Sequence, residues 1–182
     1  MRYADGPSLT CDIYVETSPA QVWELISDIH LPPRLSPELQ RVEWIDGADH
    51  PEVGARFLGH NKHPRLGEWC TASQITTYER PRTLGWVVTD ADGRFAGPEG
   101  GATVTSPAAT WLFELTPEST GTRLRHSVRI GPGRSGLSFL IDQHPEHEEQ
   151  FVEARLGELR ANIESALRGI KRLAEGPADQ AR

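Results

Sequence analysis

The chain has 182 residues, of which 37% are hydrophobic and 25% charged, and its 26 acidic and 19 basic residues give a formal net charge of -7. At this length one domain is the default, and a compact fold buries roughly 70% of the surface that the unfolded chain exposes. The acidic balance argues against a nucleic-acid partner, because Lys and Arg supply most contacts to phosphates. The apolar runs are far shorter than the roughly 18 residues that span a bilayer, so we expect no integral membrane contact.

The N-terminal residues lack the basic and apolar regions of an export signal, which predicts a cytoplasmic protein. Cys11 and Cys70 have neither a CxxC spacing nor a histidine pair at zinc-like distance. We therefore expect two reduced, partly buried thiols and no zinc site at these cysteines. No other metal and no cofactor are expected. Both a monomer and a homodimer are compatible with the sequence.

The first elements are a strand and a short helix. Alternation of apolar and polar residues predicts a strand over Leu9–Glu16. Ser18 is the predicted N-cap of the following helix, and Pro19 is its first helical residue. The prolines that follow leave room for only one further short turn or helix, around Arg34–Leu39.

Between Gln40 and Gly131 the sequence alternates between extended segments and turn residues. Strands joined in succession by short turns form an antiparallel meander. The predicted strands are Arg41–Ile45, Ala55–Asn61, Glu68–Tyr78, Thr83–Thr89, Ala109–Thr116 and Thr122–Ile130. A segment rich in glycine and proline, Phe95–Pro107, is predicted to form a mobile loop or lid.

Apolar residues at three- and four-residue steps predict a long helix from about Pro145 to Ala174. Residues 131–136 match GxGxxG, but no parallel strand follows the helix as a dinucleotide site requires, so we interpret them as a flexible entry into that helix. The chain is thus predicted to be α+β, with a curved antiparallel sheet of about seven strands wrapped on a long C-terminal helix and one or two short helices after the first strand. We expect one domain over residues 1–182, with a core at 9–174 and flexible tails at 1–8 and 175–182.

A curved sheet wrapped on a helix of about 10 Å diameter leaves space between the two, and we expect a cavity there. Of His60 and Asn61 only one can face this cavity, and Asn61 is favoured. The mixture of mostly apolar residues with a few polar ones is typical of a small-molecule site. The residues that strand parity and the helix pattern turn inward are Phe57, Asn61, Trp69, Thr71, Ser73, Trp86, Trp111, Phe113, His126, Val128, Leu156, Leu159 and Ile163.

Several local strings support this architecture: Ser18–Asp28, Val53–Phe57, Gly59–Asn61 with Trp69–Thr71, and Ala109–Leu115 followed by Gly121–Leu124. With the order of elements, they resemble the START-like, helix-grip (SRPBCC) superfamily, which includes birch pollen allergen homologues and the polyketide cyclase/dehydrase and lipid-transport group. The resemblance covers about residues 9–173. It implies a hydrophobic pocket for a lipid-like, polyketide-like or aromatic ligand, in a superfamily where some members are cyclases and many only bind.

Three hypotheses follow. The first is a carrier or sensor that binds a hydrophobic small molecule without catalysis. The second is a cofactor-independent polyketide aromatase/cyclase or dehydratase in which His126, with an ordinary pKa of about 6.5, shuttles protons while Asn61, Thr71 or Ser73 provides positioning. The third is a protein-interaction module with a vestigial pocket. A histidine on an apolar face also fits a structural role, as a core residue satisfied by one hydrogen bond.

Overall fold

The computed structural model describes residues 1–64 and 67–176. Short 3-10 turns at Tyr3–Asp5 and Pro145–His147 precede the first strand and the last helix. The strands are β1 (Ser8–Val15), β2 (Leu39–Ile45), β3 (Arg56–His63), β4 (Gly67–Glu79), β5 (Thr83–Asp90), β6 (Ala109–Glu118) and β7 (Gly121–Ile130). The helices are α1 (Pro19–Ile26), α2 (Pro32–Leu35), α3 (Gly136–Gln143) and α4 (Glu148–Glu175).

All seven strands form one antiparallel sheet in the order β1-β7-β6-β5-β4-β3-β2. Every strand begins and ends within two residues of its predicted limits, because the turn residues that separate the strands are unambiguous. β1 forms one edge of the sheet and pairs with β7, with Ser8 opposite Arg129. The predicted α+β helix-grip arrangement is thereby confirmed.

The short helices after β1 begin as their local chemistry requires. The Ser18 hydroxyl accepts a hydrogen bond from the Gln21 N–H at 3.4 Å, and Pro19 occupies the first helical position. The second helix was predicted around residues 34–39 but spans 32–35. Pro32 and Pro33 start it, because the first turn of a helix uses no internal N–H donor.

The glycine-rich segment after β7 contains a helix that was not predicted. The Ser135 hydroxyl accepts from the Ser138 N–H at 3.4 Å, while the Ser138 hydroxyl accepts from the Ser135 N–H at 2.8 Å. This reciprocal cap starts α3, which buries Leu137. The long helix begins at Glu148, later than the predicted start at about Pro145, because a 3-10 turn at Pro145–His147 separates α3 from α4.

The core lies between the inner face of the sheet and the helices α1 and α4, with Trp23, Leu124 and Ile163 among its most deeply buried side chains. The segment before β1, predicted to be a flexible tail, is packed: the Tyr3 hydroxyl donates to the Gly133 carbonyl at 2.5 Å. Of the C-terminal tail, residues 177–182 lie outside the described residues. Within the described chain, no helix combines the length and apolar character needed to cross a membrane.

Candidate functional site

A cavity of about 360 Å³ lies between the inner face of the sheet and α4, a volume within the range of small-molecule sites. Helices α2 and α3 and the loop after β5 also contribute to its walls. Twelve of the thirteen residues predicted to face a cavity line this one: Phe57, Asn61, Trp69, Thr71, Ser73, Trp86, Trp111, Phe113, His126, Val128, Leu159 and Ile163.

Leu156 is the exception, because it packs against the core and does not line the cavity. At this end of α4 the cavity lies beside Arg155 and Leu159. Leu156 is one residue from Arg155, which places it about 100° further round the helix. Helical spacing alone predicted an apolar stripe wider than the part that meets the cavity.

His126 on β7 is surrounded by aromatic rings from the neighbouring strands β5 and β6. Its ring stacks on Phe113 with centroids 3.9 Å apart and planes at 18°, and Trp111 and Trp86 lie at 5.1 and 6.1 Å. Loss of hydration by burial lowers the pKa of His126 to about 3. The imidazole is therefore neutral at physiological pH, with one nitrogen that donates and one that accepts.

Both ring nitrogens of His126 are buried without a hydrogen-bond partner among the described residues. The expected positioning groups are occupied elsewhere or do not reach the ring: Asn61 donates to the Thr71 hydroxyl and to the Gly59 carbonyl, both at 3.2 Å. Ser73 lines the cavity without bonding to the imidazole. Among the described residues, no side chain orients the imidazole by a hydrogen bond.

The choice between His60 and Asn61 is resolved in favour of Asn61. Asn61 lines the cavity, as predicted. The side chain of His60 lies instead beside Glu43, with 3.0 Å between Nε2 and the carboxylate, and beside Cys70. Alternation of side chains along β3 turns these neighbours to opposite faces of the sheet.

Phe95 also lines the cavity, although no pattern in the sequence predicts it. It is buried and lies edge-on to Trp69 at 6.1 Å and tilted to Phe139 at 6.0 Å. The Arg134 guanidinium donates to the Phe95 carbonyl at 3.1 Å and pairs with Asp142 of α3. The segment predicted as a lid therefore closes part of the cavity wall, but it lacks the periodicity that would reveal which residue points inward.

A half-buried ion-pair cluster forms a polar end of the cavity. Arg155 donates two hydrogen bonds to Glu38, at 2.8 and 2.9 Å, and a third to Glu158 at 3.2 Å, and His63 Nε2 lies 3.5 Å from Glu158. Burial opposes the charge of Arg155, but the bonds to Glu38 and Glu158 outweigh it and raise the pKa of the guanidinium. Arg155 and Glu38 are too far apart in sequence for any local pattern to pair them.

The site thus combines an aromatic interior, with one neutral imidazole that has no hydrogen-bond partner among the described residues, and a charged end that links α4 to the start of β2. Such a lining can bind an apolar ligand. It can also recognise a hydroxyl or carbonyl group on that ligand, because a neutral imidazole offers both a donor and an acceptor.

The fold is similar to that of several solved structures. The structure of the Polyketide_cyc-like protein Cgl2372 from Corynebacterium glutamicum is similar, with 26% identity, a TM-score of 0.64 and coverage of 96% of this chain and 95% of that one. The Zhui aromatase/cyclase from Streptomyces sp. R1128 has the same fold, with 11% identity, a TM-score of 0.62 and coverage of 93% of both chains. The di-domain aromatase/cyclase StfQ matches with 15% identity and a TM-score of 0.67, over 92% of this chain and 50% of its own.

No curated protein matches the chain significantly in sequence. The model of the family described as polyketide cyclase / dehydrase and lipid transport matches residues 7–175. That match covers nearly the whole of the domain, including every element that lines the cavity. The chain therefore belongs to the polyketide cyclase/dehydrase and lipid-transport family.

Proposed function

We propose that the protein binds a hydrophobic small molecule, lipid-like, polyketide-like or aromatic, in the cavity between the sheet and α4, as a carrier or sensor. The observation that carries this proposal is the aromatic-walled cavity around His126, whose buried nitrogens have no partner among the described residues. An unsatisfied buried polar group costs about 1–3 kcal/mol. A ligand with a hydroxyl or carbonyl group beside His126 recovers that cost.

Two probes of similar shape test the role of His126. We expect 2-naphthol to quench the fluorescence of Trp86 and Trp111 with higher affinity than naphthalene, because only the naphthol can bond to the imidazole. His126→Phe removes the polar atoms and keeps an aromatic ring, so it should abolish the preference. Equal affinities of both probes for the unmodified protein would contradict this role of His126.

The cavity itself is tested by filling it. Ala166 lines the cavity from α4, whereas Ala161 lies on the exposed side of the same helix. Ala166→Trp should therefore abolish binding of both probes, and Ala161→Trp should leave it unchanged. If native mass spectrometry finds no co-purified molecule and the protein binds neither the naphthyl probes nor palmitate, the carrier or sensor function is wrong.

The second candidate is a cofactor-independent aromatase/cyclase or dehydratase with His126 as proton shuttle. It is favoured by the position of His126, whose nitrogens are buried beside the cavity, and by aromatase/cyclases such as Zhui among the proteins that share the fold. A base with a pKa of about 3 takes up a proton poorly near neutral pH, which favours binding over proton transfer. Turnover of a poly-β-keto substrate that is lost in His126→Phe would support this candidate instead.

The third hypothesis, an interaction module with a vestigial pocket, is weaker. A vestigial pocket is expected to be filled by side chains, since protein interiors are close-packed. The cavity of about 360 Å³ weighs against it.

A further inference from the structure

A cluster of titratable side chains lies on the outer face of the sheet, where His60, Glu43 and Arg41 stand clear of the cavity and Cys70 also borders its wall. The Sγ of Cys70 on β4 is 3.4 Å from Nδ1 of His60 on β3, and Nε2 of the same ring is 3.0 Å from the Glu43 carboxylate on β2. Arg41 also reaches this ring, with 2.7 Å between its guanidinium and Nε2, and it pairs with Glu43 at 2.9 Å. One imidazole therefore connects a thiol to a carboxylate and a guanidinium.

The sheet register produces this cluster. His60 lies directly opposite Cys70 on one side and Arg41 on the other. Because side chains alternate, the inward direction of Trp69 and Thr71 turns the Cys70 side chain outward. The cluster is accessible to solvent, since Cys70 is half-buried and the His60 side chain is 30% exposed.

Each proton arrangement of His60 engages the sulfur. If Nε2 donates to Glu43, Nδ1 is free to accept the thiol proton. If Nε2 accepts from Arg41, Nδ1 carries the proton and donates to the sulfur. Both arrangements stabilise a thiolate, the first through proton transfer to the ring and the second through a hydrogen bond, and the thiolate is the nucleophilic form of cysteine.

We propose that Cys70 is a nucleophilic thiol that forms covalent adducts with α,β-unsaturated carbonyl compounds, with His60 as the proton acceptor. The thiol proton moves to Nδ1, and the thiolate adds to the β-carbon of the electrophile. The carbon–carbon π pair becomes an enolate, which takes the proton back from the imidazolium. One sulfur–carbon bond forms, no atom is lost, and no oxidant or reductant is needed.

The Asp92 carboxylate accepts the Cys70 N–H at 3.1 Å and places a negative charge near the thiol. This bond holds the backbone of Cys70, whereas the sulfur itself contacts the imidazole of His60.

Cys11 is an internal reference for this reactivity. It is buried in β1, and burial raises the pKa of its thiol. A buried thiol of this kind reacts slowly with electrophiles. If Cys70 reacts faster than Cys11, the difference is due to the surroundings of each thiol, because both belong to the same chain.

The test is the rate of addition of N-ethylmaleimide at pH 6.5, followed by mass spectrometry of peptides that contain each cysteine. We expect Cys70 in the folded protein to react about tenfold faster than the same residue in the urea-unfolded chain, and Cys11 to stay unmodified in the folded protein. His60→Gln should remove most of this acceleration. Lys62→Gln, a change on the same strand and face, should leave it within about twofold.

The proposal is overturned if folded Cys70 reacts no faster than unfolded Cys70, or if Cys11 reacts first. It is also overturned if His60→Gln, shown to be folded by circular dichroism, reacts at the unmodified rate. The outcome is independent of the cavity proposal, because ligand binding is measured with other probes and other variants.

Discussion

The imidazole of His126 stacks on the ring of Phe113, with centroids 3.9 Å apart and planes at 18°, so a titratable group faces an aromatic surface where a polar partner would be expected. Burial keeps the imidazole neutral, and neither ring nitrogen meets a hydrogen-bond partner in the described part of the chain. At His126 the cavity wall therefore offers a hydrogen-bond donor and an acceptor but no charge.

This relationship predicts a pH-dependent stability. In the unfolded chain His126 takes up a proton below about pH 6.5, whereas in the folded chain it does so only near 3. The unfolded state binds more protons between these values, so the free energy of unfolding falls as the pH drops through this window and is unaffected above it. Urea denaturation at pH 5 and pH 7.5 should show that His126→Phe removes an acid-induced loss of about 2 kcal/mol. Parallel losses in both proteins would contradict the prediction.

Two glycines of α4 predict opposite effects of the same substitution. A Cβ at Gly157 would meet nothing within 4 Å, whereas one at Gly169 would lie 2.6 Å from Leu35 of α2. Gly157→Ala should raise the free energy of unfolding by about 0.5–1 kcal/mol, because alanine is the better helix former. Gly169→Ala should lower it by about 1–3 kcal/mol through overpacking. Thermal denaturation of both variants checks the contrast, and equal shifts would contradict the close approach of α2 to α4.

Removal of the carboxylate that pairs with Arg155 should destabilise the fold. Of the described residues, Glu38→Gln leaves Glu158 as the one counter-charge to a half-buried guanidinium, and we expect a loss of about 2 kcal/mol, less than for a fully buried pair. Glu153→Gln, on an exposed position of α4, is the matched control and should change stability by under about 0.5 kcal/mol. Urea denaturation measures both. An equal effect of the two changes would mean that the pair contributes nothing.

The Arg134 side chain should control the opening of the loop that carries Phe95. Arg134→Met removes the hydrogen bond to the Phe95 carbonyl and the ion pair with Asp142. We expect about fivefold faster amide hydrogen exchange in residues 91–107, with the exchange of β6 and β7 unchanged. Arg172→Met, at an exposed position of α4, provides the control. Unchanged exchange in the loop would show that Phe95 is held by its aromatic neighbours alone.

The strands and most cavity-facing residues were predictable, because the alternation of apolar and polar residues indicates both that a segment is a strand and which of its side chains face the cavity. The inward direction of Trp111 and Phe113 follows from parity alone. Helix α3 was missed because glycine and proline before it resemble a loop and its Ser135–Ser138 cap lacks the usual acidic partner.

Features that depend on distant contacts left no local signal. The pairing of Arg155 with Glu38 arises only when α4 crosses the start of β2, and Phe95 points inward from an aperiodic loop. Whether the His126 nitrogens find hydrogen-bond partners likewise depends on the side chains that surround them, and none of the described ones bonds to either nitrogen. Parity predicts where a side chain points, but the partners that it meets are set by tertiary packing.

The pairing of β1 with β7 has a consequence for synthesis of the protein. Ser8 finds its partner, Arg129, only after about 120 further residues have been added. At a synthesis rate of about 5–20 residues per second, the backbone donors and acceptors of β1 lack their β7 partners for roughly 6–24 s. The backbone hydrogen bonds of β1 thus form only when β7, the last strand to be translated, is available. The cavity therefore forms only after most of the chain has been made.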